Sequence, residues 1–445
     1  MVCLPLVRGF HAGAAFAYRG GRRLGVEHFL QDVARLAALL PDRRYLLNLC
    51  ADRYLFTVGF SAALLRGQVN LLPPNETPDL VARLATRYPG VYCLSDRNTG
   101  FASLQTVQFP ELGDSALPPA PIPEVPLAQV AAIVFTSGST GEPVPHPKTW
   151  GSLARVALAE IEILGLHRHP GMALLGTVPA QHVFGLETTM LMAMQGGFAL
   201  HARRPLYPAD IRAELASLPR PRGLVTAPVH LRVLLAEPDE LPPVDFLLCA
   251  TAPLSPQLAQ QAEARFAAPL HEIYGCTESG GIASRRTTHT AEWRAMTDVA
   301  LRADAQGTWV RGGHVEAEVL LADVIELRGQ GRFLLHGRTA DLVNIAGKRT
   351  SLAHLNYQLN SINGVRDGVF VVPEQGSEAV TRLAAYVVAP GLSGDALMAE
   401  LRQRVDAAFL PRPLHMVDAL PRNETGKLPR QVLEEFEAGL ARRAG

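Results

Sequence analysis

The stretch Ala132-Ile133-Val134-Phe135-Thr136-Ser137-Gly138-Ser139-Thr140-Gly141-Glu142-Pro143 joins an apolar run of β-strand character to a loop made mostly of glycine, serine and threonine. Glycines permit positive φ angles and close approach to a ligand, while hydroxyl and N–H groups can surround phosphate oxygens. No Lys-Ser or Lys-Thr pair follows at the required place, so the loop is not a Walker motif. Taken alone, it is either a phosphate-binding loop or a polar surface turn.

Length and composition limit the classes of protein that this chain can belong to. A length of 445 residues predicts two or three domains. Lys+Arg and Asp+Glu both number 42, so the net charge favours neither nucleic acid nor an anionic membrane as a partner. No apolar run reaches the length of a membrane span, and residues 1–20 lack the features of a secretory signal. The five cysteines show no CxxC spacing, so we expect no disulfide framework or zinc site, and a cytoplasmic protein.

Strand-like and helical patterns alternate along most of the chain. Compact apolar runs of strand length recur between helical segments, at 45–49, 69–72, 132–135, 173–178, 223–226, 245–250 and 272–274. This alternation predicts an α/β fold in which parallel-rich sheets are flanked by helices. Ligands of such sheets bind beyond the carboxyl ends of the strands, and the 136–141 loop follows a strand.

The pattern changes after Arg285. Short strand-like pieces predict a small β subdomain, at 309–310, 317–321 and 333–335. Beyond it, a mixture of helices and strands predicts a further α+β unit, with helices near 352–359, 396–409 and 431–440 and strands at 368–372 and 384–388. We therefore predict a large N-terminal domain, 1–337, and a small mobile C-terminal domain, 338–445.

Three further motifs carry residues suited to a nucleotide. The segment 274–278 offers an aromatic ring, a glycine, a hydroxyl and a carboxylate, which suit a base and Mg²⁺. Asp323 can accept ribose hydroxyls, and Arg338 can bind ribose or phosphate. Lys427, beside Gly426, places one cation on a turn. Each motif alone also fits a polar turn or a solvated hairpin.

Together and in this order, the four motifs resemble those of the adenylate-forming superfamily, which includes acyl-CoA synthetases, aryl-acid ligases, luciferases and peptide-synthetase adenylation domains. The resemblance extends from about residue 70 to residue 430. It implies ATP and Mg²⁺ as cofactors, with Glu278 at the metal. It also implies the following site residues: Thr136, Ser137, Gly138, Ser139, Thr140 and Gly141 at the phosphates; Ala252, Pro253, Tyr274, Gly275, Asp323 and Arg338 at adenine and ribose; Lys427, Glu278 and Thr277 in catalysis; His182, Phe184 and Gly280 in the acyl pocket; and Ala340 at the hinge.

The chemistry implied by the resemblance has two steps. A carboxylate attacks the α-phosphate of ATP and expels pyrophosphate, and a thiol then takes the acyl group from AMP. Because two anions meet in the first step, the site has to supply positive charge and positioning. In the family, rotation of the C-terminal domain about the hinge then exchanges the catalytic lysine, here Lys427, for the segment 347–349.

Several positions depart from the family pattern. Val144 stands where the family usually has a lysine after the loop proline, and the nearest lysine is Lys148. Thr251 replaces a glycine, and His354 stands where a glutamate is expected. The hinge position, commonly Asp or Lys, falls at Ala340. Whether Lys148 takes over the role of the missing lysine stays open at this point.

The sequence therefore predicts an ATP-dependent ligase for a small carboxylic acid, with coenzyme A or an acyl carrier protein as the thiol acceptor. The Pro-His-Pro-Lys-Thr-Trp continuation, 145–150, looks most like stand-alone ligases of bacterial aryl-polyene or xanthomonadin-type pigment pathways. That likeness implies an aryl acid such as a hydroxybenzoate. A medium-chain fatty acyl-CoA synthetase and a non-catalytic nucleotide- or acyl-binding protein are the alternatives, and the oligomeric state is left open.

Overall fold

A computed structural model describes residues 2–98, 101, 103–111, 121–137, 143–338, 342–345, 348–372, 382–423, 428 and 430–444. Over these residues the fold is α/β, as predicted, with two large mixed sheets and smaller sheets beyond them. Helices pack on the sheets, and they comprise α1 (Val26–Leu39), α2 (Arg53–Leu65), α3 (Pro78–Arg87), α4 (Trp150–Ile163), α5 (Val183–Gly185), α6 (Met192–Gly196), α7 (Pro208–Ser217), α8 (Pro228–Ala236), α9 (Pro256–Phe266), α10 (Leu352–Asn360), α11 (Gly394–Arg404) and α12 (Arg430–Ala444).

The first large sheet carries the phosphate-loop candidate. With strands numbered in chain order, its spatial order is β10 (Pro143–Thr149), β9 (Val130–Ser137), β5 (Val69–Leu72), β4 (Tyr45–Asn48), β6 (Tyr92–Ser95) and β7 (Gln105–Gln108). All neighbours are parallel except the β9–β10 hairpin. Strands β4, β5 and β6 are covered on both faces, which explains their nearly continuous apolar sequences. Strand β10 lies at the edge and carries prolines at 143, 145 and 147.

The second large sheet holds the other candidate segments. Its spatial order is β21 (Asp323–Gly329), β22 (Arg332–Arg338), β17 (Trp293–Ala295), β16 (Gly280–Arg285), β15 (Leu270–Cys276), β14 (Phe246–Cys249), β13 (Arg222–Thr226), β11 (Ala173–Gly176), β12 (Ala199–His201), β2 (Ala15–Arg19) and β3 (Arg22–Gly25). From β15 to β2 the neighbours are parallel, and the two flanks are antiparallel. The carboxyl ends of β14 and β15 therefore share one edge of the sheet.

The prediction of the small β subdomain was wrong in its extent. The first two pieces contribute to a separate sheet, which is formed by β18 (Ala300–Asp304), β19 (Gly307–Gly312) and β20 (Val315–Leu320). The piece at 333–335 belongs instead to β22, which pairs with β17 and extends the second large sheet. Phe333 is fully buried in the main core, so burial against that core explains this placement.

The remaining strands are short and mostly belong to the C-terminal part. They are β1 (Cys3–Pro5), which pairs with β8 (Glu124–Pro126), and β23 (Leu342–Ile345), β24 (Lys348–Ser351), β25 (Asp367–Val371), β26 (Ala384–Val388) and β27 (Leu414–Met416). Apolar side chains of β23 and β25–β26 pack with α10 and α11 in a core of their own. This separate core is compatible with the predicted C-terminal domain. Within it, α11 ends at Arg404, earlier than predicted.

Over the described ranges, no helix combines the length and the hydropathy that crossing a bilayer would require.

Candidate active site

The hairpin of β9 and β10 presents the predicted phosphate loop. The two strands pair antiparallel, with Ser137 opposite Pro143 and Thr136 opposite Val144, and residues 138–142 connect them. Gly138, Ser139, Thr140 and Gly141 lie outside the described residues. Below the tip, the Thr136 hydroxyl lies 2.9 Å from Nε2 of His146 across the hairpin. The hairpin register thus brings a hydroxyl and an imidazole together at the base of the loop.

The turn between β15 and β16 approaches this hairpin from the second large sheet. Glu278 lies in the turn, with Oε1 3.7 Å from Nε2 of His146. Its side chain is 40% exposed, so the carboxylate remains open to a ligand. Burial and the charge of Lys148 lower the pKa of His146, although Glu278 opposes this shift. The imidazole is therefore neutral at neutral pH and lies between the loop and the carboxylate.

Lys148 occupies a different place from the lysine that the family has at position 144. Its ammonium donates a 2.7 Å hydrogen bond to the backbone oxygen of Glu278, and the residue is only 6% exposed. Val144, in contrast, is 45% exposed near the hairpin tip. Burial lowers the pKa of Lys148, while Glu187 and other nearby acidic groups act to raise it. In this structure the cation therefore supports the turn of Glu278 from behind.

Two of the predicted adenine and ribose contacts, Tyr274 and Asp323, touch each other. The Tyr274 hydroxyl donates a 2.8 Å hydrogen bond to Oδ2 of Asp323, although β15 and β21 lie at some distance in the sheet. The Tyr274 ring packs against Trp293 and Phe333, with centroids 5.6 and 5.7 Å away. Asp323 is opposite Arg338 in the β21–β22 register, and the side chain of Arg338 lies outside the described residues.

Thr251 shows why the family favours glycine before the Ala-Pro pair. Its φ is 81°, in the left-handed region that a β-branched residue rarely adopts. The residue follows β14 and directly precedes Ala252 and Pro253, the predicted adenine segment. Strained backbone of this kind persists where the surrounding structure enforces it, and it clusters at functional sites. The strain supports a functional role for this turn.

The predicted acyl-pocket residues come together around α5. His182 caps the start of α5, and its carbonyl oxygen accepts a 2.8 Å hydrogen bond from the N–H of Leu186. Phe184 is buried within α5. Gly280 contacts Glu187, which follows α5 directly in the chain, since a Cβ atom at Gly280 would lie 2.7 Å from Oε1 of Glu187. The structure thus places Gly280 against the segment that carries the other two residues.

Other predicted residues are less completely described. Gly275 and Thr277 flank Cys276 at the end of β15, close to Glu278. Lys427 and Ala340 lie outside the described residues, as does Gly347. Lys348, the next residue of the thioester-stage segment, forms a 2.5 Å ion pair with Asp406. The roles of all these residues stay predictions.

Sequence reasoning missed three buried polar residues behind the turn, namely Glu160, Glu187 and His314. A signal for one of them was present. On α4, Leu153, Ala157 and Glu160 recur at helical spacing and face the core, so a carboxyl group interrupts an apolar face. A charged residue on such a face is uncommon unless it has a partner or a role.

Comparison with known proteins identifies the family. A sequence model described as "AMP-binding enzyme" matches residues 18–328. The chain belongs to the AMP-binding enzyme family. It is 32% identical over 305 residues to a 4-coumarate–CoA ligase of Rhodobacter capsulatus, which covers 67% of this chain and 75% of that ligase. With these relatives, it is an enzyme of the acyl-CoA synthetase type.

Solved structures agree in fold. The ATP-bound MatB structure from Rhodopseudomonas palustris superposes with a TM-score of 0.80 at 17% identity, over 97% of this chain and 96% of that one. O-succinylbenzoate coenzyme A synthetase (MenE) from Bacillus subtilis, in complex with ATP and magnesium ion, gives 0.78 at 17% identity, over 95% and 96%. The large N-terminal part followed by a smaller C-terminal part is common to these proteins.

The donor set at the turn fits a magnesium ion bound together with ATP. Mg²⁺ is commonly held by one or two carboxylates, substrate phosphates and water, rather than by an all-protein cage. Glu278 supplies one exposed carboxylate beside the hairpin. Over the described residues, no group of three or more His, Cys, Asp or Glu side chains forms a metal site. One exposed carboxylate beside the predicted phosphate loop fits an ion that the nucleotide brings with it.

Proposed function

We propose that this enzyme activates a small aryl carboxylic acid as its acyl-adenylate and transfers the acyl group to a thiol. The observation that supports this most directly is the meeting of the loop base, Thr136 and His146, with the exposed carboxylate of Glu278. The Tyr274–Asp323 pair next to the same turn provides acceptors for a ribose. The relative from Rhodobacter capsulatus is a ligase for an aryl acid and CoA.

The proposed reaction has two steps. A carboxylate oxygen attacks the α-phosphorus of ATP, and the bond to pyrophosphate breaks. The sulfur of a thiol then attacks the acyl carbon, AMP leaves, and the thiol proton is released. Mg²⁺ would neutralise phosphate charge when bound at Glu278. The loop of residues 136–141 would hold the phosphates, and Lys427 would stabilise the charge that develops between the two anions.

The second step requires the C-terminal domain to rotate. Asp367 makes contacts that this rotation would change. This carboxylate accepts hydrogen bonds of 2.6 and 2.8 Å from Arg422, its neighbour in the C-terminal part. It also lies 3.4 Å from Arg232 on α8 of the N-terminal part. We propose that rotation about position 340 breaks the contact with Arg232 and leaves the pair with Arg422 intact.

The acceptor, the acid and the location belong to the same proposal. We propose the phosphopantetheine thiol of an acyl carrier protein as the acceptor, with coenzyme A as the other candidate. The continuation of the loop, which resembles that of aryl-polyene and xanthomonadin-type pigment ligases, supports a hydroxybenzoate as the acid. A cytoplasmic location fits the cysteines, since all five lie in the described residues and none forms a disulfide.

Pyrophosphate release with a panel of aryl and fatty acids tests the proposal, followed by thioester formation with coenzyme A and with carrier protein. We expect an aryl acid to be activated, and Glu278→Gln to reduce the rate by about 10²-fold or more. Glu326→Gln, an exposed residue on β21, is the matched control. ATP binding without pyrophosphate release for any acid would instead support the non-catalytic alternative. Activation of medium-chain fatty acids alone would support the fatty acyl-CoA synthetase.

A further inference from the structure

Two glutamates are buried directly behind the turn of the proposed active site. Glu160 on α4 is 0% exposed, and Glu187 is 3% exposed. Two consecutive glycines at the start of β16 give them room. A Cβ atom at Gly280 would lie 2.7 Å from Oε1 of Glu187, and one at Gly281 would lie 2.6 Å from Oε1 of Glu160. The two carboxyl groups therefore meet at one short segment.

This buried cluster has hydrogen-bonding capacity that the protein leaves unused. Oε2 of Glu187 accepts a 3.1 Å hydrogen bond from the N–H of Gly281. Among the described residues, neither oxygen of Glu160 has a hydrogen-bond partner. The buried ring of His314 lies beside the backbone of Gly281 and Ser279. His314 is 1% exposed, and its backbone oxygen is tied to α4 by the hydroxyl of Ser152 at 2.9 Å. Buried polar groups without partners are rare in proteins, and a ligand is one explanation for them.

The position of the cluster connects it with the substrate. Lys148 bonds to the backbone oxygen of Glu278, and its charge also acts on Glu187. The charge of this lysine, which is bonded to the turn, therefore acts on the buried pair as well. Glu187 follows Phe184 by three residues and lies in a π-helical segment, Leu186–Leu191. Such segments are rare and occur frequently at functional sites. The cluster thus adjoins the segments that carry the predicted acyl-pocket residues Phe184 and Gly280.

The protonation states of Glu160, Glu187 and His314 determine which chemical group the cluster can bind. Burial, together with the charge of Glu187, raises the pKa of Glu160 well above its ordinary range, so this group is a neutral acid. Burial raises the pKa of Glu187 to about 7, opposed by Lys148 and by the Gly281 N–H. Burial and the charge of Lys148 lower the pKa of His314 to about 4, opposed by the backbone of Gly281 and Ser279, so its imidazole is neutral. Lys148 already balances a charge on Glu187, so the cluster needs no cationic substrate.

A neutral hydroxyl group matches the hydrogen-bonding capacity that remains at Glu160 and Glu187. It can donate a hydrogen bond to the Glu187 carboxylate and accept one from the protonated Glu160. We propose, on the basis of the function proposed above, that Glu160 and Glu187 form the specificity-determining subsite for a hydroxyl group remote from the reacting carboxylate. Gly280 directly contacts Glu187 and belongs to the predicted acyl pocket, so the proposed hydroxyl would lie beside this glycine.

The test compares acids that differ only in this group. ATP–pyrophosphate exchange is measured with meta- and para-hydroxybenzoate and with the corresponding methylbenzoates, together with an ω-hydroxy fatty acid and its methyl analogue. We expect kcat/KM for one hydroxy acid to exceed that of its methyl analogue by about 10²-fold or more, because a site built to bind a hydroxyl rejects an analogue without one. Equal use of every hydroxy and methyl pair would overturn the subsite while leaving adenylation established. Absence of exchange with any acid would refute both proposals.

Variants of Glu160 and Glu187 test whether these side chains cause the preference for the hydroxy acid. Glu187→Met and Glu160→Met should reduce the preference to within about tenfold and improve use of the methyl analogues, with the KM for ATP unchanged. Glu187→Gln keeps a hydrogen-bond acceptor, so it should retain an intermediate preference and remains informative if a methionine variant fails to fold. Glu162→Met, an exposed position on the same helix, is the control. A merely structural role would lower the rates for both acids equally and leave their ratio unchanged, and that result would refute the inference.

Discussion

Replacement of Glu187 by glutamine should flatten the pH dependence of stability. Burial raises the pKa of Glu187 from 4.5 to about 7 in the folded protein. The folded state therefore binds this proton more tightly than the unfolded chain does. The resulting stabilisation is fully present below pH 4.5 and is lost as the pH rises through about 7. At about 1.4 kcal/mol per pH unit, this interval corresponds to about 3 kcal/mol of unfolding free energy.

The glutamine variant has no such proton to lose. Its unfolding free energy, relative to that of the native protein, should rise by about 3 kcal/mol between pH 4.5 and pH 8. Burial and, after it, the charge of Glu187 raise the pKa of Glu160. The variant removes that charge, so Glu160 contributes in the same direction. The change therefore belongs to the interacting pair rather than to one residue. The attraction between Lys148 and an ionised Glu187 is already included in the pKa of about 7, so its loss in the variant adds no separate change.

Urea unfolding at pH 5, 6, 7 and 8 measures this difference. Tryptophan fluorescence is a suitable signal, because all three tryptophans (Trp150, Trp293 and Trp309) lie in the predicted N-terminal domain. Glu162→Gln, on the exposed side of α4, serves as the control and should follow the native curve. If Glu187→Gln also runs parallel to the native curve, the carboxyl group is not held in the protonated state that its burial implies.

Four further predictions concern the active site. Asp323→Ala should raise the KM for ATP by about tenfold or more, and Tyr274→Phe by less, because it removes one hydrogen bond to the Asp323 carboxylate and leaves that carboxylate in place; steady-state kinetics at varied ATP would show the reverse order if the assignment is wrong. Lys148→Met should lower the adenylation rate and the unfolding temperature together, measured by pyrophosphate release and thermal denaturation, and an unchanged rate would remove the lysine from the site. Lys427→Ala should reduce adenylation by about 10²-fold or more and affect thioester formation from pre-made acyl-adenylate much less; equal losses in the two assays would contradict the domain rotation. Thr251→Gly should raise the unfolding free energy by about 1 kcal/mol in urea titrations because it relieves a positive φ, and destabilisation would show that threonine contacts outweigh the strain.

The parts of the fold that the sequence predicts well are those with strong local patterns. Strands β4, β5 and β13 are short apolar runs covered on both faces, and their bounds match the prediction to within a residue or so. The assignment of 333–335 to a small separate sheet failed for a physical reason. Periodicity shows that a segment is a strand, but the identity of its neighbour depends on tertiary packing.

The same distinction applies to the candidate site. Residues within motifs could be predicted, and contacts that depend on packing could not. Tyr274, Glu278 and Asp323 could be named from motifs, because each lies in a segment whose residue order resembles that of the family. The contact of Thr136 with His146 depends on the hairpin register and was not predicted. Glu160 and Glu187 approach each other from α4 and from the π-helical segment, which are far apart in sequence. No local pattern encodes such a meeting.

The prolines of β10 have a consequence for association between molecules. A strand at the edge of a sheet exposes unpaired N–H and C=O groups on which another chain can add a strand. At positions 143, 145 and 147 there is no N–H to offer, and the outward carbonyl of Pro143 is occupied by Nη1 of Arg87 at 3.1 Å. The even-numbered residues keep their N–H groups and pair with β9. The hairpin can thus display a polar loop at an open sheet edge that resists aggregation by strand addition.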